Sequence, residues 1–98
     1  MSFVQIIEVT TTRFEEFQAL EDQWRKDTEG RRPRMRLMAC RDRDQAGRYL
    51  MIVEFPSYEE AMRNNDLPET DRTARRMAEL ADGPMGFTNL DVISVDVD

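Results

Sequence analysis

Two adjacent amides, Asn64 and Asn65, close the segment Ser57-Tyr58-Glu59-Glu60-Ala61-Met62-Arg63-Asn64-Asn65, and their placement invites chemistry more than any other in the chain. On a helix, Tyr58, Ala61, Met62 and Asn65 recur at three- and four-residue steps, so Asn65 is the polar member of an otherwise apolar stripe. A carboxamide has one accepting and one donating end, and leaving either unpaired in the interior costs about 1 to 3 kcal/mol. Asn65 must therefore bind backbone, water or a ligand. The backbone alternative is a helix end near Pro68, where Asn commonly satisfies loose main-chain groups. Asn64 lies a further step round the helix and has the same two options. Trp24 is either an aromatic wall for a planar ligand or a core residue. Tyr58 and Tyr49 can hydrogen-bond a phenolic molecule. Met62, Met77 and Met85 are flexible apolar side chains that suit a pocket lining and a core filling equally.

The 98 residues include no histidine. That removes His-based acid-base catalysis, Ser-His and Cys-His nucleophile pairs and nearly all zinc and haem-iron ligation. No metal and no cofactor are expected. Asp42-Arg43-Asp44 followed by Gly47 imitates the opening of a calcium loop, but Val53 stands where the bidentate Glu belongs. Gly83-Pro84-Met85-Gly86 lacks the Lys and the spacing of a phosphate loop. Cys40 is the single cysteine, cannot form an internal disulfide and is read as inert.

A net charge of -6 and a pI near 4.7 repel polyanions on average, so nucleic acid is not an expected partner. The run Arg31, Arg32, Arg34, Arg36, Arg41, Arg43 and Arg48 goes against that average. It is read as a solvated loop and strand edge, where positive charge also discourages edge-to-edge sheet pairing. Salt-sensitive binding of DNA or RNA along this strip ranks last among the alternatives. No apolar run approaches the eighteen or so residues of a membrane span, and no basic stretch leads into an apolar one at the start. A cytoplasmic protein without a membrane partner is the expectation, built as one domain over residues 1–98.

These side chains must be positioned by a short series of elements. Phe3 to Val9 is β-branched and apolar on both alternating faces, as central strands are. Thr12-Arg13-Phe14-Glu15 has the spacing of a capping box, opening a helix with Phe14, Phe17, Leu20 and Trp24 on one face and Gly30 as its stop. Met35 to Arg41 alternates as a strand, 42–47 is a polar turn, and Tyr49 to Phe55 is again apolar on both faces. After Pro56, Ser57 to Glu60 repeats the capping box and opens a short helix that Pro68 breaks. A second helical piece from about Thr70 to Asp82 turns Ala74, Met77, Ala78 and Ala81 inward, and Gly83-Pro84 ends it. Phe87 to Val97 reads as a long strand, its apolar parity shifting between Val92 and Ile93 as at a bulge or in a strand buried on both sides.

The order βαββαβ predicts an α+β, ferredoxin-like fold: a four-stranded antiparallel sheet with helices on one face and the first and third strands in the middle. Helices cover only that face, which leaves Val4, Ile6, Leu50 and Ile52, or their alternates, on the other. Several hundred square ångströms of strand surface at roughly 25 cal/mol per Å² is a large term beside a domain's net stability of about 5 to 15 kcal/mol. A homodimer packed sheet to sheet is therefore expected.

Over nearly its whole length the element order resembles the dimeric α+β barrel proteins, and among them the antibiotic biosynthesis monooxygenase-like group. The most specific stretch runs from Phe55 to Glu69. Within it, Asn64-Asn65-Asp66-Leu67-Pro68-Glu69 is similar to an Asn-x-Asp-x-Pro-Glu variant of small actinobacterial members. The resemblance implies a dimeric barrel with a pocket in each subunit between sheet and helices. Asn65 and Asn64 are then the candidate catalytic residues, and Trp24, Tyr58, Met62 and Met77 the candidate substrate-binding ones. The group includes cofactor-free oxygenases of aromatic polyketides, haem-degrading enzymes, quinol oxygenases and isomerases. Many relatives carry a His about where Asn64 falls, and the haem-degrading ones use a His with an Asn and a Trp; lacking His, this chain does not fit that chemistry. Two readings follow: a cofactor-independent monooxygenase of an aromatic phenol, enol or quinol, and a non-catalytic dimer that binds a small apolar or aromatic ligand or serves a structural role.

Overall fold

Phe3–Thr10 (β1) and Arg48–Phe55 (β3) pair antiparallel through all eight residues, Phe3 opposite Phe55 and Thr10 opposite Arg48, in a computed structural model that describes residues 2–98. Arg36–Arg41 (β2) adds to the outer side of β3 and Gly86–Asp91 (β4) to the outer side of β1, so the order is β2-β3-β1-β4. The two strands that are apolar on both faces are thus the central pair. Three helices, α1 (Phe14–Asp27), α2 (Tyr58–Asn65) and α3 (Pro68–Leu80), pack on one side of this sheet. This is the expected α+β, ferredoxin-like architecture.

The register puts Phe3, Ile7, Val9, Met51, Val53 and Phe55 on the helix side. They form two buried clusters. Phe3, Val53 and Phe55 close on Ala61 of α2, whereas Val9 and Met51 close on Phe17 of α1 with Met77 and Leu80 of α3 against them.

The two capping boxes have different outcomes. Ser57 Oγ accepts the backbone N–H of Glu60 at 3.1 Å, as its spacing predicts. Thr12 does not cap α1: the N-cap position is Arg13, without a side-chain bond, and the Thr12 N–H donates to Asp82 Oδ2 at 3.1 Å. The neighbouring Thr11 is buried, accepts the Arg13 N–H at 2.9 Å and donates to the Leu80 carbonyl at 2.7 Å. Partners from the end of α3 therefore replace the local cap. At the other end α1 stops at Asp27, before Gly30, and Thr28 Oγ1 donates back to the Trp24 carbonyl at 2.7 Å. Pro68 opens α3 in its first turn, where the missing N–H is no loss.

The last strand is shorter than its pattern suggests. β4 ends at Asp91, opposite Phe3, because β1 offers no further partner; the last main-chain bond is from the Val92 N–H to the Ser2 carbonyl at 3.0 Å. The parity shift after Val92 marks the end of pairing and is not a bulge. Beyond it Ile93, Val95 and Val97 are 87%, 73% and 88% exposed.

On the side away from the helices the same register places Val4, Ile6, Leu50 and Ile52, flanked by Met38 and Leu90. The accessible surface of 6986 Å² exceeds the roughly 5,800 Å² of a compact monomer of this mass. The 13.8 Å radius of gyration likewise exceeds the about 12.6 Å expected for this length.

Candidate functional site

A cavity of about 300 Å³ lies between the helix side of the sheet and the helices. This is the lower end of the roughly 300 to 1,000 Å³ typical of small-ligand sites. Its floor comes from the sheet: Gln5 and Ile7 of β1, Leu37 and Ala39 of β2, and Met51, Val53 and Phe55 of β3. Phe14, Phe17, Gln18, Glu21 and Trp24 of α1 form one wall, and Thr70, Thr73, Ala74 and Met77 of α3 with Met85 and Phe87 form another. Asn64 and Asn65 close the end at α2.

Trp24 is buried, and its indole N–H donates to Thr70 Oγ1 at 2.9 Å, which fixes the ring against α3. The Arg32 guanidinium carbon sits 5.6 Å from the ring centroid, a cation-π distance. Arg31 and Glu69 pair across from the loop after α1 to the first turn of α3, beside Thr70. The Arg31 guanidinium holds the Glu69 carboxyl below the usual carboxylate range by hydrogen bonding. Two further polar residues of the wall are paired: Gln5 Nε2 donates to Asn89 Oδ1 at 3.2 Å, and Glu21 accepts from Arg25 Nε at 2.7 Å.

Asn64 differs from these. Its side chain is buried, and its Oδ1 has no hydrogen-bond partner among the described residues. Asn65, expected to be the inward amide, is instead exposed at the rim although it still lines the cavity. The reason is rotational. At about 100° per residue, an arc centred between Ala61 and Asn64 turns Tyr58, Met62 and Asn65 toward its edge or beyond. Ala61 sets that arc because it is wedged against Phe3, Val53 and Phe55.

The same rotation keeps two candidate substrate-binding residues off the cavity wall. Tyr58 is 53% exposed and lies edge-on to Phe3 at 5.4 Å between centroids, outside the cavity wall. Met62 packs on the Phe3 cluster and also stays off the wall. Trp24 and Met77 line the cavity as expected, as does Met85. Tyr49 stacks on Phe14 at 3.9 Å between centroids and does not line the cavity. Gln5, Gln18, Glu21, Thr70 and Thr73 were missed. Two had a legible signal: Gln5 interrupts an apolar strand, and a buried Trp24 requires an acceptor for its N–H.

Among the described residues no three His, Cys, Asp or Glu side chains are grouped to hold a metal ion, and no helix is long and apolar enough to cross a membrane. Asp42 is held below the usual carboxylate range, first by the backbone N–H of Asp44 and then by Arg48; it lies outside the cavity wall. The cavity therefore offers shape, apolar contact and a fixed indole, and its lining includes Asn64, whose amide oxygen is buried without a partner among the described residues.

No family profile matches the sequence, and no curated protein matches it. Solved structures do match the fold. A candidate antibiotic biosynthesis monooxygenase from Caulobacter crescentus is 11% identical, with a TM-score of 0.80 over 95% of this chain and 91% of that one. SnoaB, a cofactor-independent oxygenase from Streptomyces nogalater, is 16% identical, with a TM-score of 0.78 over 96% and 95%. Rv0793 from Mycobacterium tuberculosis is 15% identical, with a TM-score of 0.78 over 99% and 100%. At these identities the likeness is one of fold, and the chain has the fold of the antibiotic biosynthesis monooxygenase-like structures.

Proposed function

We propose that each subunit of a sheet-to-sheet homodimer binds one flat, largely apolar aromatic molecule in this cavity and oxidises it as a cofactor-independent monooxygenase of a phenol, enol or quinol. The observation that carries the reading is Asn64: the residue belongs to the lining of an apolar cavity, and its buried amide oxygen has no partner among the described residues. A ligand hydroxyl supplies the missing donor. The fold likeness to SnoaB supports the oxygenase chemistry, and the apolar outer face of the sheet together with the excess surface supports the homodimer.

For an enol whose keto form carries a CH₂ group, the substrate supplies every electron. Once the enol, itself acidic, has given its proton to solvent water, its carbon bonds to O₂ and, on taking a proton back from solvent, forms a hydroperoxide. The O–O bond then breaks, water leaves with the remaining hydrogen of that carbon, and a carbonyl stays behind. One oxygen atom ends in the product and one in water. Asn64 Oδ1 accepts the hydrogen bond of the enol O–H, the amide N–H₂ is the end that donates to the oxyanion left when that proton is lost, and the indole of Trp24, fixed by Thr70, confines the ring plane. The apolar walls exclude water from the anion.

Oxygen uptake by the purified protein with anthrone-type enols and hydroquinones tests this reading. Protein-dependent uptake that falls at least tenfold in Asn64→Leu and less than twofold in Asn65→Leu is the expected result. Saturable binding without uptake would replace the oxygenase by a binding dimer, and neither binding nor uptake would refute both.

A further inference from the structure

The lining of the cavity is divided along its length. Its two long helices run antiparallel across it, because Trp24 of α1 meets Thr70 of α3 through the indole N–H, whereas Met77 of α3 packs with Phe14 and Phe17 of α1 in the cluster around Met51. At the first of these ends stand Asn64 and Asn65 of α2, Thr70 and Thr73 of α3, and Glu21 one turn before Trp24. The sheet follows the same division. On its helix side one row of the register is Leu37, Val53, Gln5 and Asn89, with Val53 in the cluster that closes on α2. The next row is Ala39, Met51, Ile7 and Phe87, and it is wholly apolar. Among the described residues Gln18, exposed between the two halves, is the one polar lining residue away from the α2 end.

A cavity polar at one end and apolar at the other fits an amphipathic guest. We infer that the phenol or quinol bound here carries a flexible hydrocarbon tail opposite its hydroxyl, with the ring at Trp24 and Asn64 and the tail toward Phe14, Met77 and Phe87. The inference rests on the hydroxyl reading of Asn64 proposed above and adds the second half of the molecule.

Length, surface and charge agree. Trp24 and Phe14 are ten residues apart on α1, about 15 Å along a helix axis and longer than a single phenol ring. Met51, Met77 and Met85 bring unbranched thioethers to the apolar end, and these adapt to a chain that changes shape. Phe87 lines that end yet is 58% exposed, so apolar surface remains there for a tail to cover. No Lys or Arg belongs to the lining among the described residues, so nothing there pairs with a carboxylate or a phosphate on the tail.

Quenching of Trp24 by 4-alkylphenols from methyl to hexyl, and by their O-methyl ethers, tests the tail and the orientation together. Full burial of one methylene corresponds to about a fourfold gain in affinity, so the parent protein should gain roughly twofold or more per methylene, about thirtyfold from methyl to hexyl. Ala74→Phe and Ala39→Phe each place a ring in the apolar end from an exposed position. Either should remove at least tenfold of the gain for the hexyl compound and leave the methyl compound within twofold. Affinity that is flat with chain length, or that rises equally in the parent and both variants, would overturn the tail and leave the hydroxyl reading intact. Ethers that bind as tightly as the phenols at every length would overturn the hydroxyl reading and the orientation with it.

Discussion

Replacing Asn64 by Leu separates what the amide does for stability from what it does for binding. Asn64 is 6% exposed, and its Oδ1 has no protein partner, a situation that costs about 1 to 3 kcal/mol. Leucine removes that cost, has good helix propensity and finds room against a 300 Å³ cavity for the two methyl groups that replace the smaller amide O and N. The ligand-free variant should gain about 1 to 2 kcal/mol. At about 4 to 8 °C per kcal/mol for a domain of this size, calorimetry should show a rise in Tm of roughly 4 to 16 °C. Asn65→Leu, at an exposed position, should stay within about 0.5 kcal/mol. The gain must be accompanied by weaker ligand binding, a trade of function for stability at one residue. An Asn64→Leu protein that melts several degrees below the parent would show the amide to be already paired, and the argument for a ligand hydroxyl would fail.

Other perturbations test the supports of the site. Thr70→Val strands the buried indole N–H of Trp24 and should lower stability by about 1 to 3 kcal/mol, read from urea unfolding, with a blue-shifted Trp24 emission. Asp42 and Glu69 have depressed carboxyl pKa values in the fold, so their contribution is present above the ordinary carboxylate values and is lost as pH falls through the folded ones. The urea midpoint should therefore drop below about pH 4, less steeply in Asp42→Asn; a flat profile down to pH 2 would contradict the pairing. Ile52→Asp places a charge in the middle of the outer sheet face and should turn the proposed homodimer into a folded monomer by light scattering; an unchanged dimer would put the interface elsewhere.

The strand order was legible because β1 and β3 each carry apolar residues at both parities, which only a central strand tolerates. The stop of β4 was not, because Ile93-Ser94-Val95-Asp96-Val97 keeps a strand-like alternation although β1 offers no partner beyond Phe3. Periodicity located the α2 stripe within one residue but not its rotation. On a two-turn helix, Asn64 and Asn65 fit the same apolar pattern, and the wedge of Ala61 between Phe3 and Phe55 decides between them. The Thr12 cap failed for a similar reason. Asp82, just past α3 and far away in sequence, takes the Thr12 N–H that the box would have used, and Thr11, tied to the Leu80 carbonyl, takes the Arg13 N–H. Trp24 and Met77 were found as apolar stripe residues, since pocket and core share that signature until the fold shows which stripe faces empty space.

Trp24 is the sole tryptophan and lines the cavity, so its fluorescence reports occupancy directly. The measurement that bears most on the account is a titration of parent, Asn64→Leu and Asn65→Leu proteins with an aromatic phenol and its O-methyl ether. Quenching by the phenol at an affinity at least tenfold above that of the ether, with the preference lost in Asn64→Leu and kept in Asn65→Leu, is the predicted result. Equal affinities in the parent protein, or no quenching by either molecule, would contradict a hydroxyl-reading cavity at Asn64.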